Sequence, residues 1–68
     1  MLNLALIDQL RKNKGLTALK VAEYLSIGDT AYYNKITGYR RFSVEEVIKL
    51  SELLNVSIDE LIVRKVAK

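Results

Sequence analysis

Two runs of helical periodicity, about Ala18–Leu25 and Asp29–Ile36, are separated only by Ser26-Ile27-Gly28. A break this short lets neither helix wander, so the two must meet at a steep angle, with Ile27 plugging the corner. In the first run Val21, Ala22 and Leu25 recur on one side, and Thr17 offers an N-cap oxygen. In the second run Ala31, Tyr32 and Ile36 point inward, and the remaining residues leave a polar face. Asp29 or Thr30 can cap that helix, and Asp29 also suits its positive end. Gly38 ends it.

The rest of the chain is helical by the same criteria. Leu6, Ile7 and Leu10 mark a helix from about Asn3 to Asn13, with Leu2 or Leu4 extending its stripe and Gly15 as a left-handed stop. Arg11, Lys12 and Lys14 complement the dipole at its C-terminal end. Ser43-Val44-Glu45-Glu46 is a capping box that opens a fourth helix to about Leu54, with Val44, Val47, Leu50 and Leu54 inward. Ser57-Ile58-Asp59-Glu60 is a second capping box, opening a fifth helix to about Val66, with Leu61 and Ile62 packing back. No alternating strand pattern competes. The expectation is an all-α fold, a compact five-helix bundle forming one domain over 1–68.

Composition narrows what such a bundle can do. The 68 residues include no Cys, no His and no Pro. A disulfide is impossible and ordinary zinc ligands are missing, so stability must come from apolar packing and good caps. Without a thiol nucleophile or an imidazole base, and with little room to enclose a deep pocket, an enzyme is not expected, nor is a cofactor. No segment is long enough to span a membrane. The apolar start breaks at Asp8 and lacks a basic leader, so it does not read as a signal peptide. A cytoplasmic location is expected.

The net charge is +3, and its distribution is uneven. Residues 1–42 hold Arg11, Lys12, Lys14, Lys20, Lys35, Arg40 and Arg41 against Asp8, Glu23 and Asp29, whereas residues 43–68 are slightly acidic. A positive field confined to the part that carries the two tightly joined helices suits a polyanion. Two short helices joined by a glycine-containing break, the second with an exposed polar face, form a helix-turn-helix arrangement. Its second helix can enter the DNA major groove, because an α-helix with its side chains fits that groove.

The order of these pieces resembles the Cro/repressor-type helix-turn-helix proteins, the XRE family, from about Ile7 to Ile62. The matching residues are Ile7-x-x-Leu10-Arg11, Lys14-Gly15-Leu16-Thr17, Val21-Ala22-x-x-Leu25-x-Ile27, and Thr30-Ala31-Tyr32-Tyr33-x-Lys35-Ile36-x-Gly38. Phe42-Ser43-x-x-Glu46-Val47 and Leu54-Asn55-Val56-Ser57-x-Asp59-Glu60-Leu61-Ile62 close the pattern. The chain is most similar to short phage- and prophage-related members. The resemblance implies a lambda-repressor-like bundle and a transcriptional regulator that binds double-stranded operator DNA as a homodimer.

Carried over residue by residue, the resemblance implies base contacts from Asp29, Thr30, Tyr33 and Asn34. Asn34 is the strongest reader, since an amide can bond adenine with two hydrogen bonds. Lys20, Lys35, Tyr39, Arg40 and Arg41 are the phosphate-contacting candidates, which set register rather than sequence. Tyr32 reads as core filler; Tyr33 and Tyr39 stay open between surface packing and DNA contact. Two positions depart from the family's pattern. Ala18 stands where a Gln is frequent, and Asp29 stands where Lys, Arg or Gln is common. They favour an alternative: a phage-type module that keeps the fold but binds and modulates a repressor protein. For that reading, and for dimerisation, the surplus apolar residues Leu53, Val63 and Val66 are the expected surface.

Overall fold

In the computed structural model, which describes residues 2–62, four α-helices are followed by a single 3-10 turn. Helix α1 spans Leu4–Asn13, α2 Ala18–Leu25, α3 Asp29–Ile36 and α4 Val44–Leu54. Local chemistry explains most of these boundaries. The Asn3 side chain accepts the Leu6 N–H at 3.1 Å, and the Thr17 hydroxyl accepts the Lys20 N–H at 3.1 Å. Both capping boxes form, Ser43 with Glu46 and Ser57 with Glu60. Beyond α1 the chain reverses at Gly15 with φ +72°, a conformation that strains any residue carrying a Cβ.

Ile7, Val21, Ala22, Leu25, Tyr32, Leu50, Leu54 and Leu61 are buried and form the core, so every described element contributes to it. Half-buried Leu2, Leu4, Ile27, Ile36, Phe42 and Leu53 pack around it. Tyr32 is the largest of the fully buried side chains, and Phe42 meets it edge-on at a ring separation of 6.2 Å. The polar α3 helix is anchored chiefly through this tyrosine. Among the described residues no helix is long and apolar enough to cross a membrane.

Three expectations need correction. The expected fifth helix is a 3-10 turn over Ile58–Leu61, after which Ile62 is extended at φ −105° and ψ 131°. The beginning of the chain ends the helix: the Asn3 N–H donates to the Leu61 carbonyl at 2.8 Å, and Leu2 forms an antiparallel bridge with Ile62. The Leu61 carbonyl is thereby satisfied outside any helix, and β-branched Ile62 accepts extended backbone readily. The remainder of the expected helix, including Val63 and Val66, lies outside the described residues.

Val44, expected to face inward, is 76% exposed. It lies about 120° around the helix from buried Leu50, too far to share its face. The α3 cap is Gly28, in extended backbone, rather than Asp29 or Thr30. Asp29 is already helical, and its carboxylate accepts the Thr30 N–H at 2.8 Å. Within the α2–α3 break Ser26 takes the left-handed conformation, at φ 61°. Its N–H bonds the Glu23 carbonyl and that of Ile27 bonds Ala22, which closes α2 and swings the chain into α3.

Candidate nucleic-acid interface

Helices α2 and α3 pack against each other across the three-residue break, and α3 turns its polar side outward. Of its eight residues only Tyr32 is buried. Asp29, Thr30 and Tyr33 are exposed and Asn34 is half-buried, so the four expected base-contacting residues all reach the surface of one short helix. Tyr33 is 66% exposed, against 1% for its neighbour Tyr32, which separates the two tyrosines cleanly into surface and core.

The loop after α3 carries the basic residues. Lys35, Tyr39, Arg40 and Arg41 line one open depression next to the C-terminal end of α3. Tyr39 is 80% exposed, and Arg40 and Arg41 are exposed as well. The loop is nonetheless fastened. The Arg40 N–H donates to the Asn34 carbonyl at 2.9 Å, and the Thr37 hydroxyl donates to the Tyr33 carbonyl at 2.8 Å. The first bond occupies a carbonyl that the end of the helix otherwise leaves without a backbone partner, and the second joins the Thr37 N–H, which already donates to the Tyr33 carbonyl at 3.0 Å. Lys20 is exposed on α2.

Lys35 differs from the other four phosphate candidates. Its ammonium donates to both carboxylate oxygens of Glu46 at 2.7 Å, and the two side chains are only 17% and 12% exposed. Burial alone would raise the Glu46 carboxyl. The hydrogen bonds from Lys35 and from the Ser43 N–H, with the Lys35 charge, outweigh it and hold the group below its ordinary value. The sequence flags Glu46 only as a cap; its partner lies eleven residues earlier, across the loop.

A second ion pair braces α1. Arg11 contacts Asp8 at 3.0 Å and donates to the Leu16 carbonyl at 2.7 Å, tying α1 to the approach to α2. Lys12 adds a longer contact to Asp8 at 3.4 Å. Burial would raise the Asp8 carboxyl, but Arg11 and Lys12 hold it below its ordinary value. Burial pushes the Tyr32 hydroxyl up, with the nearby Arg11 offsetting only part of the effect. Ala18 lines an apolar groove between α1 and α3 with Leu4, Tyr32 and Tyr33. Leu53 is half-buried against the core, and Val63 and Val66 lie outside the described residues.

The arrangement offers an exposed polar helix for reading and a tethered cationic loop beside it. Comparison with known proteins identifies the family. The family model for helix-turn-helix proteins matches residues 7–61. The chain is 34% identical over 67 residues to the HTH-type transcriptional regulator AnsR of Bacillus subtilis (strain 168), a match that takes in 98% of this chain. It spans 58% of the length of that curated relative. No solved structure matches it. With the family match covering most of its length, from the first turns of α1 to the end of the 3-10 turn, the chain belongs to the XRE family of helix-turn-helix proteins.

Proposed function

We propose that this protein is a sequence-specific DNA-binding regulator of transcription that lays α3 in the major groove. The observation that carries the reading is the row of exposed Asp29, Thr30 and Tyr33 and half-buried Asn34 on α3, with Arg40 and Arg41 on the loop that follows directly. In this reading Asn34 reads a base edge, while Lys20, Tyr39, Arg40 and Arg41 hold the phosphates and set register. The match to a transcriptional regulator supports the same function. Two copies on a two-fold-symmetric operator would set their α3 helices about one turn of DNA apart. Val44 and Ile48, apolar and exposed on α4, support a subunit contact.

One observation favours a second reading. Asp29 places a carboxylate, exposed, in the first turn of α3, where a polyanion would meet it. A module that binds a repressor protein rather than DNA would tolerate that charge.

Fluorescence anisotropy separates the two. Duplexes from the DNA flanking the protein's own gene are titrated against scrambled duplexes across a salt series. Tight, sequence-dependent binding with a steep negative salt slope is the expected result, and the slope counts the phosphate contacts. Weak binding, equal for both duplexes, would overturn the reading and turn attention to a repressor protein as the partner.

A further inference from the structure

We infer that Glu46 is a positioning residue for DNA binding: through Lys35 it clamps the 37–42 loop, and with it Arg40 and Arg41, against the end of α3. The inference deepens the DNA-binding reading above and rests on it.

One carboxylate joins both ends of the loop. Glu46 Oε1 accepts the Ser43 N–H at 2.8 Å, immediately after the loop, and the Lys35 ammonium at 2.7 Å, just before it. Its Oε2 accepts the same ammonium at 2.7 Å. Between these anchors Arg40 is bonded to Asn34, and Phe42 is set against buried Tyr32. The loop's side chains Tyr39, Arg40 and Arg41 project outward from this frame. A basic loop that is ordered before binding gives up less freedom on meeting a phosphate backbone than a slack one.

Charge alone argues the opposite. An acid beside a DNA-binding face repels phosphates and neutralises a cation, so removing it should strengthen binding to every duplex. The clamp predicts weaker binding to the specific site. The two accounts therefore differ in sign, and E46Q decides between them. The glutamine oxygen can still accept the Ser43 N–H, so the cap of α4 is retained while the ion pair is lost.

The experiment uses the full chain with E46Q, K35M and the double variant, and has two readouts. The first is amide exchange in the free protein. The Arg40 N–H reports the loop, and the Ile27 N–H, bonded to the Ala22 carbonyl at 3.0 Å, reports the α2–α3 frame. The second is affinity for a selected duplex and for a scrambled one. In E46Q, Arg40 should exchange faster relative to Ile27, and specific affinity should fall by about tenfold while scrambled-duplex affinity holds or rises. The double variant should lose no more specificity than E46Q alone, since the two residues act as one unit. Unchanged Arg40 exchange relative to Ile27, or equally tightened binding to both duplexes, would overturn the inference. A wild-type chain that distinguishes no duplex would overturn the DNA-binding reading and the binding half of this inference, while Arg40 exchange decides the clamp by itself.

Discussion

The Asn34 carbonyl accepts the Arg40 N–H at 2.9 Å, so the foremost candidate for base reading and the first arginine of the basic loop are joined through main chain. Contacts to phosphate carry no sequence information; they place the reading helix in register. In the proposed complex the placement would pass from arginine to asparagine through one backbone hydrogen bond rather than through flexible side chains. Any slackening of the loop shifts the arginines relative to α3, and any shift of α3 reaches the loop.

The division of labour between these residues is measurable. Asn34→Ala should weaken binding to the specific duplex by about 1–3 kcal/mol and leave scrambled DNA nearly unaffected. Arg41→Ala should weaken both duplexes alike and flatten the salt slope by about 1. Anisotropy titrations at several salt concentrations provide both numbers. Equal, small effects from the two substitutions would remove α3 from the groove.

Asp29 gives a prediction in the opposite direction. Its carboxylate sits at the positive end of α3 and accepts the Thr30 N–H, so it stabilises the free protein. Beside phosphates the same charge is repelled. Asp29→Asn should lower stability by about 0.3–1 kcal/mol. It should also tighten DNA binding, most at low salt, where repulsion is least screened. Urea unfolding and low-salt titrations test the two halves separately. Weaker binding by the Asn variant would instead make Asp29 a base reader, accepting a hydrogen bond from cytosine.

Sequence alone reveals features whose causes lie within a few residues. The bounds of α2, α3 and α4 follow from apolar spacing and, at Thr17 and Ser43, from a capping side chain one turn from the group it satisfies. The second capping box is equally readable, yet it opens only a 3-10 turn, because what stops the helix is Asn3, nearly sixty residues earlier in the chain. The same limit hides the Lys35–Glu46 pair. Lys35 reads as a cation for phosphate, and only the path of the loop delivers it to a carboxylate already engaged as a cap. Nor does anything in the sequence say that Ser26, rather than the nearby glycine, takes the left-handed position.

Tyr32 separates packing from polarity. Its ring is 1% exposed, and its hydroxyl is buried with no hydrogen-bond partner. Removing a buried group that bonds nothing relieves a desolvation penalty, so Tyr32→Phe should leave stability unchanged or raise it by up to about 1–2 kcal/mol. Tyr32→Ala removes the anchor of α3 and should destabilise by about 3–5 kcal/mol. Chemical denaturation of the two variants tests this. A marked loss in the Phe variant would mean that the hydroxyl bonds Arg11, whose guanidinium lies close enough to offset part of its upward pKa shift.

Acid should remove what Glu46 and Asp8 contribute to folding. The Glu46 and Asp8 carboxyls are both held below their ordinary values in the folded protein. A depressed carboxyl binds its proton more weakly when folded than when unfolded. Its contribution is therefore complete at neutral pH, begins to fall as the unfolded chain protonates near pH ~4.3 for glutamate, and is lost below the folded value. The two groups should differ in salt sensitivity. Glu46 is 12% exposed, whereas Asp8 is 33% exposed and one of its partners, Lys12, is 61% exposed, so added salt should screen Asp8 far more. Urea midpoints measured from pH 7 down to pH 3, at low and high salt, test the assignment. The wild type should lose stability on acidification, and E46Q should lose less, because the glutamine has no proton to take up. The part of the slope that persists in E46Q includes the share of Asp8 and should shrink with salt. Identical slopes for the two proteins would mean that the Lys35–Glu46 pair adds nothing to folding.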